Sequence, residues 1–162
     1  MKRSVPVAAA VAVLLAGCGY TFGSGLAERG VRTIALRVVG NETFRQRLEV
    51  ELSRALAREL PVSTDLQLAD ERRADAILNV VFVDARERTL VLGGRDDPVR
   101  EGAFEAAVSM RLVGRDGKVL LQRRILDRTE FRSPIGEDLT SARGELVEDL
   151  ARKIALALES DI

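Results

Sequence analysis

Few side chains in this 162-residue chain are equipped for chemistry. Histidine is absent, which removes the group most used for proton transfer near neutral pH and the commonest metal ligand. The single cysteine, Cys18, has a thiol that can be alkylated or acylated, but with no second cysteine it cannot close an intrachain disulfide. Asp96-Asp97 followed by Arg100-Glu101 comes nearest to a metal or acid pair; without histidine or another acidic cluster it reads as a solvated loop. Gly93-Gly94 lacks the Gly-x-Gly-x-x-Gly spacing and the following helix that a phosphate cradle needs. No catalytic residues, no cofactor and no metal site are therefore expected.

Cys18 stands where its chemistry has a context. Met1-Lys2-Arg3 precedes an apolar run from Val5 to Ala16, broken only by Pro6, and small residues follow. That is the arrangement of a secretory signal, and about a dozen apolar residues are too few for a span that takes about 20 in helix. Leu15-Ala16-Gly17-Cys18 resembles a bacterial lipobox, which implies removal of residues 1–17 and acylation of Cys18 as the first mature residue. Several acyl chains anchor stably where one holds only marginally. Gly19, in place of an aspartate, implies by resemblance to lipoprotein sorting in enteric bacteria an outer-membrane destination.

Residues 1–17 hold two bases and no acids, so the mature chain has 25 − 2 = 23 basic against 25 acidic residues. That balance argues against a nucleic-acid binder, which needs a basic face to displace counterions from phosphates. The mature length suits one domain with one core.

The elements follow from periodicity. Residues 18–30 are glycine-rich, contain Tyr20 and Phe22, and read as a tether; residues 31–162 read as a single domain. Ile34, Leu36 and Val38 alternate with Thr33, Ala35 and Arg37, as in a strand with one buried face. Thr43 and Gln46 have the capping-box spacing, with Asn41 as an alternative cap, and Leu48, Leu52, Ala55, Leu56 and Leu60 fall on one helical face. The spacing predicts a helix over 44–60, ended by Pro61. A short strand at Leu66 and Leu68 would lie parallel to the first through the helical crossover. Residues 76–92 read as a central strand, apolar on both faces in its middle, whose charged Arg86-Glu87-Arg88-Thr89 end projects beyond the core.

After the loop 93–98 comes a one-sided strand through Phe104, Ala106, Val108, Met110 and Leu112. Gly114-Arg115-Asp116-Gly117 is a hairpin connection, and the returning strand from Val119 turns polar at Gln122, Arg123, Arg124, Asp127 and Arg128. Charge of this kind keeps an edge strand from pairing with strangers. Leu139, Ala142, Leu146, Leu150, Ile154 and Leu158 keep helical spacing to the end, with acids early in that helix and Arg152 and Lys153 late, as its dipole prefers. The expected architecture is a two-layer α+β domain in which two amphipathic helices pack on one face of a four- to five-stranded mixed β-sheet.

An ordered set of short segments carries a family resemblance: Cys18-Gly19-Tyr20-Thr21-Phe22, Val31 to Leu36 with Asn41-Glu42-Thr43, Ala74 to Leu78, and Glu145 with Asp149-Leu150-Ala151. Together they resemble the LPS-assembly lipoproteins of the LptE family. The resemblance implies a lipoprotein in the periplasmic leaflet of the outer membrane, seated as a plug and assembly factor inside the LPS-translocon β-barrel LptD, touching lipopolysaccharide and catalysing nothing. Because arginine recognises phosphate well, it also implies candidate lipopolysaccharide contacts at Arg86, Arg88, Arg95, Arg123 and Arg124. Two other classes stand beside it: a lipid-anchored regulator of a periplasmic peptidoglycan synthase, and an envelope enzyme, which would need a cleft with convergent polar groups that the sequence does not offer.

Overall fold

The structure, a computed structural model, describes residues 25–37, 39–93 and 99–159. The signal segment, Cys18, Arg95 and Asp96-Asp97 lie outside the described residues. Strands β1 (Thr33–Leu36), β2 (Gly40–Asn41), β3 (Gln67–Leu68), β4 (Ala76–Leu92), β5 (Val99–Gly114) and β6 (Val119–Arg132) form one mixed sheet. Helices α1 (Gly25–Glu28), α2 (Leu48–Ser63) and α3 (Leu139–Glu159) accompany it. The strand order is β3-β1-β4-β5-β6, and β2 pairs with β4 farther along the margin that β1 also uses.

β1 and β3 are parallel, as a helical crossover requires, and the long β4, β5 and β6 are antiparallel neighbours. The sheet has six strands, one more than the four or five expected, because Gly40-Asn41 pairs with Val81 and Phe82.

Burial alternates along β4: Ala76, Leu78, Val80 and Phe82 are buried while Ile77, Asn79 and Val81 are half-buried. The buried set meets Leu48, Leu52, Leu56 and Leu60 of α2 and Leu146, Leu150, Ile154 and Leu158 of α3 in one core. Each such side chain contributes about 1.5–3 kcal/mol on leaving water. Both helices therefore cover one face of the sheet. The other face has no second layer among the described residues, which is why the apolar residues there stay partly wet.

Side-chain hydrogen bonds to nearby residues move the helix boundaries from where periodicity alone puts them. Helix α2 runs from Leu48 to Ser63 rather than over 44–60. Asn41 Oδ1 accepts from Thr43 N (2.9 Å) and Thr43 Oγ1 (2.7 Å), and its Nδ2 donates to Arg45 O and Glu49 Oε2, both at 2.7 Å. Residues 43–47 are thereby held in turns, no Thr43–Gln46 box forms, and Arg47 enters the helix with a left-handed φ of 73°. Pro61 sits in the last turn, where only one amide hydrogen bond is forfeited, so the helix passes through it. At α3, Asp138 Oδ1 accepts from Ser141 N (2.8 Å) while Ser141 Oγ accepts from Asp138 N (3.0 Å), a reciprocal cap. Its first turn holds no acid and its last no base, so the expected dipole complement is absent. Leu26 of α1 is buried, so the end of the glycine-rich stretch packs on the domain.

Two segments from the family-like set meet in a clamp. Asp75 Oδ2 accepts from Arg32 N (3.1 Å), Thr33 N (2.9 Å) and Thr33 Oγ1 (2.8 Å). The Thr33 hydroxyl, with these amides, holds the Asp75 carboxyl below the usual aspartate range. The clamp fixes the start of β1 against the start of β4. At the other end of the sheet Gly102 stands opposite Phe131, and a methyl group on Gly102 would lie 2.3 Å from Phe131 Cζ. Glycine is what lets the ring lie across the β5 backbone.

Candidate functional site

Directly opposed residues of antiparallel strands point to the same side of a sheet, so the register sorts the charged side chains by face. Met110 and Val108 are core residues, which puts their partners Arg123 and Ile125 on the helix side. Ser109, Ala107 and Glu105 oppose Arg124, Leu126 and Arg128, and Glu105 also opposes Arg86; these stand on the uncovered face with Arg88. Of the predicted contacts, Arg86, Arg88 and Arg124 share a face, Arg123 is on the other, and Arg95 and Cys18 lie outside the described residues.

Two different environments occupy this face. Around Glu105, whose side chain is 18% exposed, three guanidinium groups converge: Arg86 Nε at 3.0 Å, Arg88 Nε at 3.5 Å and Arg128 NH1 at 3.8 Å. Arg86 also reaches Asp84 (3.7 Å) and Arg128 reaches Glu130 (2.6 Å). Beside them a shallow cavity of about 460 Å³ is lined by Asp84, Arg86, Glu105, Leu126 and Arg128 and reaches round the β6 edge to Asp127 and Lys153. Three bases thus face three acids, and an incoming anion would have to displace a carboxylate. Two register steps away, Arg124 opposes Ser109 and Arg111 opposes Gln122; both are exposed, and neither forms an ion pair with a described residue. Their guanidinium forks are open to phosphate without breaking a bond.

Sequence reasoning missed Arg111 and Arg128. Period-two counting would have put Arg128 with Arg124, but pairing Arg111 with Arg124 needed the β5–β6 register. On the helix side, Lys153 of α3 donates to Asp127 Oδ1 at 2.7 Å; the Asp127 side chain is 8% exposed and its Oδ2 has no partner among the described residues. Among the described residues no group of acids or cysteine has metal-site geometry, and no helix is long and apolar enough to cross a membrane.

Residues 31–161 match the LptE family, described as lipopolysaccharide-assembly. The chain belongs to the LptE family. The match takes in the whole sheet, both long helices and the arginine-bearing face, so the segmental resemblance seen in the sequence extends to the domain. No curated protein matches the chain. Solved structures share the fold at low identity. Hypothetical protein CT253 from Chlamydia trachomatis is 15% identical with a TM-score of 0.57, covering 78% of this chain and 95% of that one. Uncharacterized lipoprotein B from Nitrosomonas europaea is 15% identical with a TM-score of 0.54, covering 80% and 83%. A PelC dodecamer from Paraburkholderia phytofirmans is 16% identical with a TM-score of 0.51, covering 75% and 87%. In this chain the matched domain has two layers, with one sheet face uncovered among the described residues.

Proposed function

We propose that this LptE-family protein is a non-catalytic outer-membrane lipoprotein, acylated at Cys18 and held in the periplasmic leaflet. There it assembles with and plugs the LPS-translocon β-barrel LptD and assists insertion of lipopolysaccharide. The family match over residues 31–161 carries the reading. The bare sheet face supports it, since a plug must present a surface to its barrel and to its cargo. Within that face Arg111 and Arg124 offer unengaged guanidinium groups to lipopolysaccharide phosphates, while Arg86 and Arg88 meet an anion only by exchanging it for Glu105.

A mild-detergent pull-down of the tagged protein from its native membranes tests the proposal. A stoichiometric barrel of translocon size is the expected companion. Recovery of a peptidoglycan synthase instead, or of nothing above background, would overturn it.

A further inference from the structure

β6 is a margin of the sheet, paired with β5 alone. Along an antiparallel strand alternate residues turn their N–H and C=O toward the partner or away from it. In β6 the even-numbered residues turn away, because their backbone groups find partners outside β5. Leu126 O is met by Lys153 Nζ at 3.5 Å, and Arg128 N donates to Asp127 Oδ1 at 2.8 Å. Arg132 N donates to Glu137 Oε2 at 3.0 Å, while its carbonyl accepts from Glu137 N at 3.3 Å. A hydrogen-bonded rung of an added antiparallel strand needs both groups of an outward residue, so one occupied group closes that rung. Leu126, Arg128 and Arg132 are closed in this way. Near the start of β6 the register shift at Leu112 and Val113 leaves Leu120 out of the pairing, and a bulge there bends the margin away from a straight neighbour.

Asp127 is costly where it stands. Its side chain is turned inward, is 8% exposed and leaves Oδ2 without a partner among the described residues, so the ion pair with Lys153 is no strong source of stability. Oδ1 takes both Lys153 Nζ and Arg128 N. A lysine at the margin, an inward carboxylate and a bulge are the devices by which sheets keep an edge from pairing.

The charges of β6 indicate what is excluded. A second copy adding its β6 antiparallel across a two-fold axis must set outward residues against outward residues, which centres the pairing on a residue. Centres at Arg123, Arg124, Asp127 or Arg128 set a charge against itself, and a centre at Leu126 sets Arg124 against Arg128. A centre at Ile125 sets no like charges opposite each other within the strand: Arg123 faces Asp127, and the rungs join Arg124 to Leu126 and Gln122 to Arg128. Those are the rungs that Lys153 and Asp127 close.

We propose that Asp127, Lys153 and Glu137 guard β6 against pairing with the β6 strand of a second copy of this chain in the register centred on Ile125. With the guard removed, that margin becomes an interface between two copies.

Disulfide trapping in the full-length protein, purified in mild detergent, tests it. In the Ile125-centred register the two Ile125 residues form a non-hydrogen-bonded pair with Cα atoms about 4.5 Å apart, within disulfide reach. Ile125→Cys with the guard intact should stay monomeric on a non-reducing gel after mild oxidation, as should the parent chain. Adding Lys153→Met and Glu137→Ala should raise the dimer yield at least tenfold. So should adding Asp127→Asn to those two, a combination that leaves no unpaired carboxylate at position 127 to endanger the fold. Leu121→Cys in the same backgrounds, opposite Thr129 in this register, should give no dimer. Equal yields with and without the guard, equal yields from positions 121 and 125, or no dimer from the variant that includes Asp127→Asn while it keeps the parent's circular dichroism would overturn the proposal.

Discussion

Replacing Gly102 with alanine isolates one contact that neither strand pattern nor composition reveals. The added carbon would sit 2.3 Å from Phe131 Cζ and 2.7 Å from Cε1, where carbon atoms rest at about 3.5–4.0 Å. Phe131 is 5% exposed within the core, so its ring cannot swing clear, and either the ring or the β5 backbone must give by more than about 1 Å. Overpacking of this kind costs about 1–3 kcal/mol, against which alanine recovers about 0.5–1 kcal/mol of glycine's conformational entropy. The expected net loss is about 1–2 kcal/mol, a five- to thirty-fold shift toward the unfolded chain. Urea unfolding of Gly102→Ala, Phe131→Ala and the double variant measures it. Phe131→Ala alone should cost about 3–5 kcal/mol, and in the Gly102→Ala background at least about 1 kcal/mol less, because the new methyl group occupies space the ring has left. A neutral Gly102→Ala, or additivity within about 0.5 kcal/mol, would refute the reasoning.

Four further outcomes are expected. Asp75 has a folded pKa below its unfolded value, so the clamp contributes stability above about pH 4 that is lost as pH falls through the folded value; Asp75→Asn should flatten the acid limb of a stability–pH curve and lower neutral stability by about 1–2 kcal/mol. Lys153→Met leaves the Asp127 carboxylate with one amide partner in a poorly solvated place and should cost about 1–3 kcal/mol by urea unfolding, more than the Lys153→Met/Asp127→Asn pair. Fluorescence titration with lipopolysaccharide at low salt should show Arg111→Ala/Arg124→Ala binding roughly tenfold more weakly, with a smaller loss for Arg86→Ala because Arg86 is already engaged. Cys18→Ala should abolish acylation, read by palmitate labelling and membrane fractionation; unchanged fractionation would remove the anchor from the account.

The two-layer plan was legible because β4, β5 and the helices carry unambiguous periods: Leu78, Val80 and Phe82 alternate, while Leu146, Leu150 and Ile154 recur by helical turns. What escaped was held by side-chain bonds and pairings that leave no period in the sequence. Asn41 delays α2 through bonds to residues 43, 45 and 49, and a two-residue strand such as β2 has no period at all. The candidate site was half legible. Runs of arginine mark a polar face, but which arginines are engaged depends on Glu105 standing between Arg86 and Arg128 across two strand pairings, a fact of register rather than of composition.

The clamp at Asp75 has a mechanical meaning as well. A pull on the chain at Gly25 must first extract Leu26 and then loads β1 along its own axis, against parallel neighbours on both sides. Hydrogen bonds strained in that direction share the load, whereas bonds peeled from an edge fail one at a time. The Thr33–Asp75 bonds stand at the first rung, where the force arrives. Resistance to such a force is set by the rate of unfolding rather than by equilibrium stability, so a first strand loaded in this way resists by being slow to open.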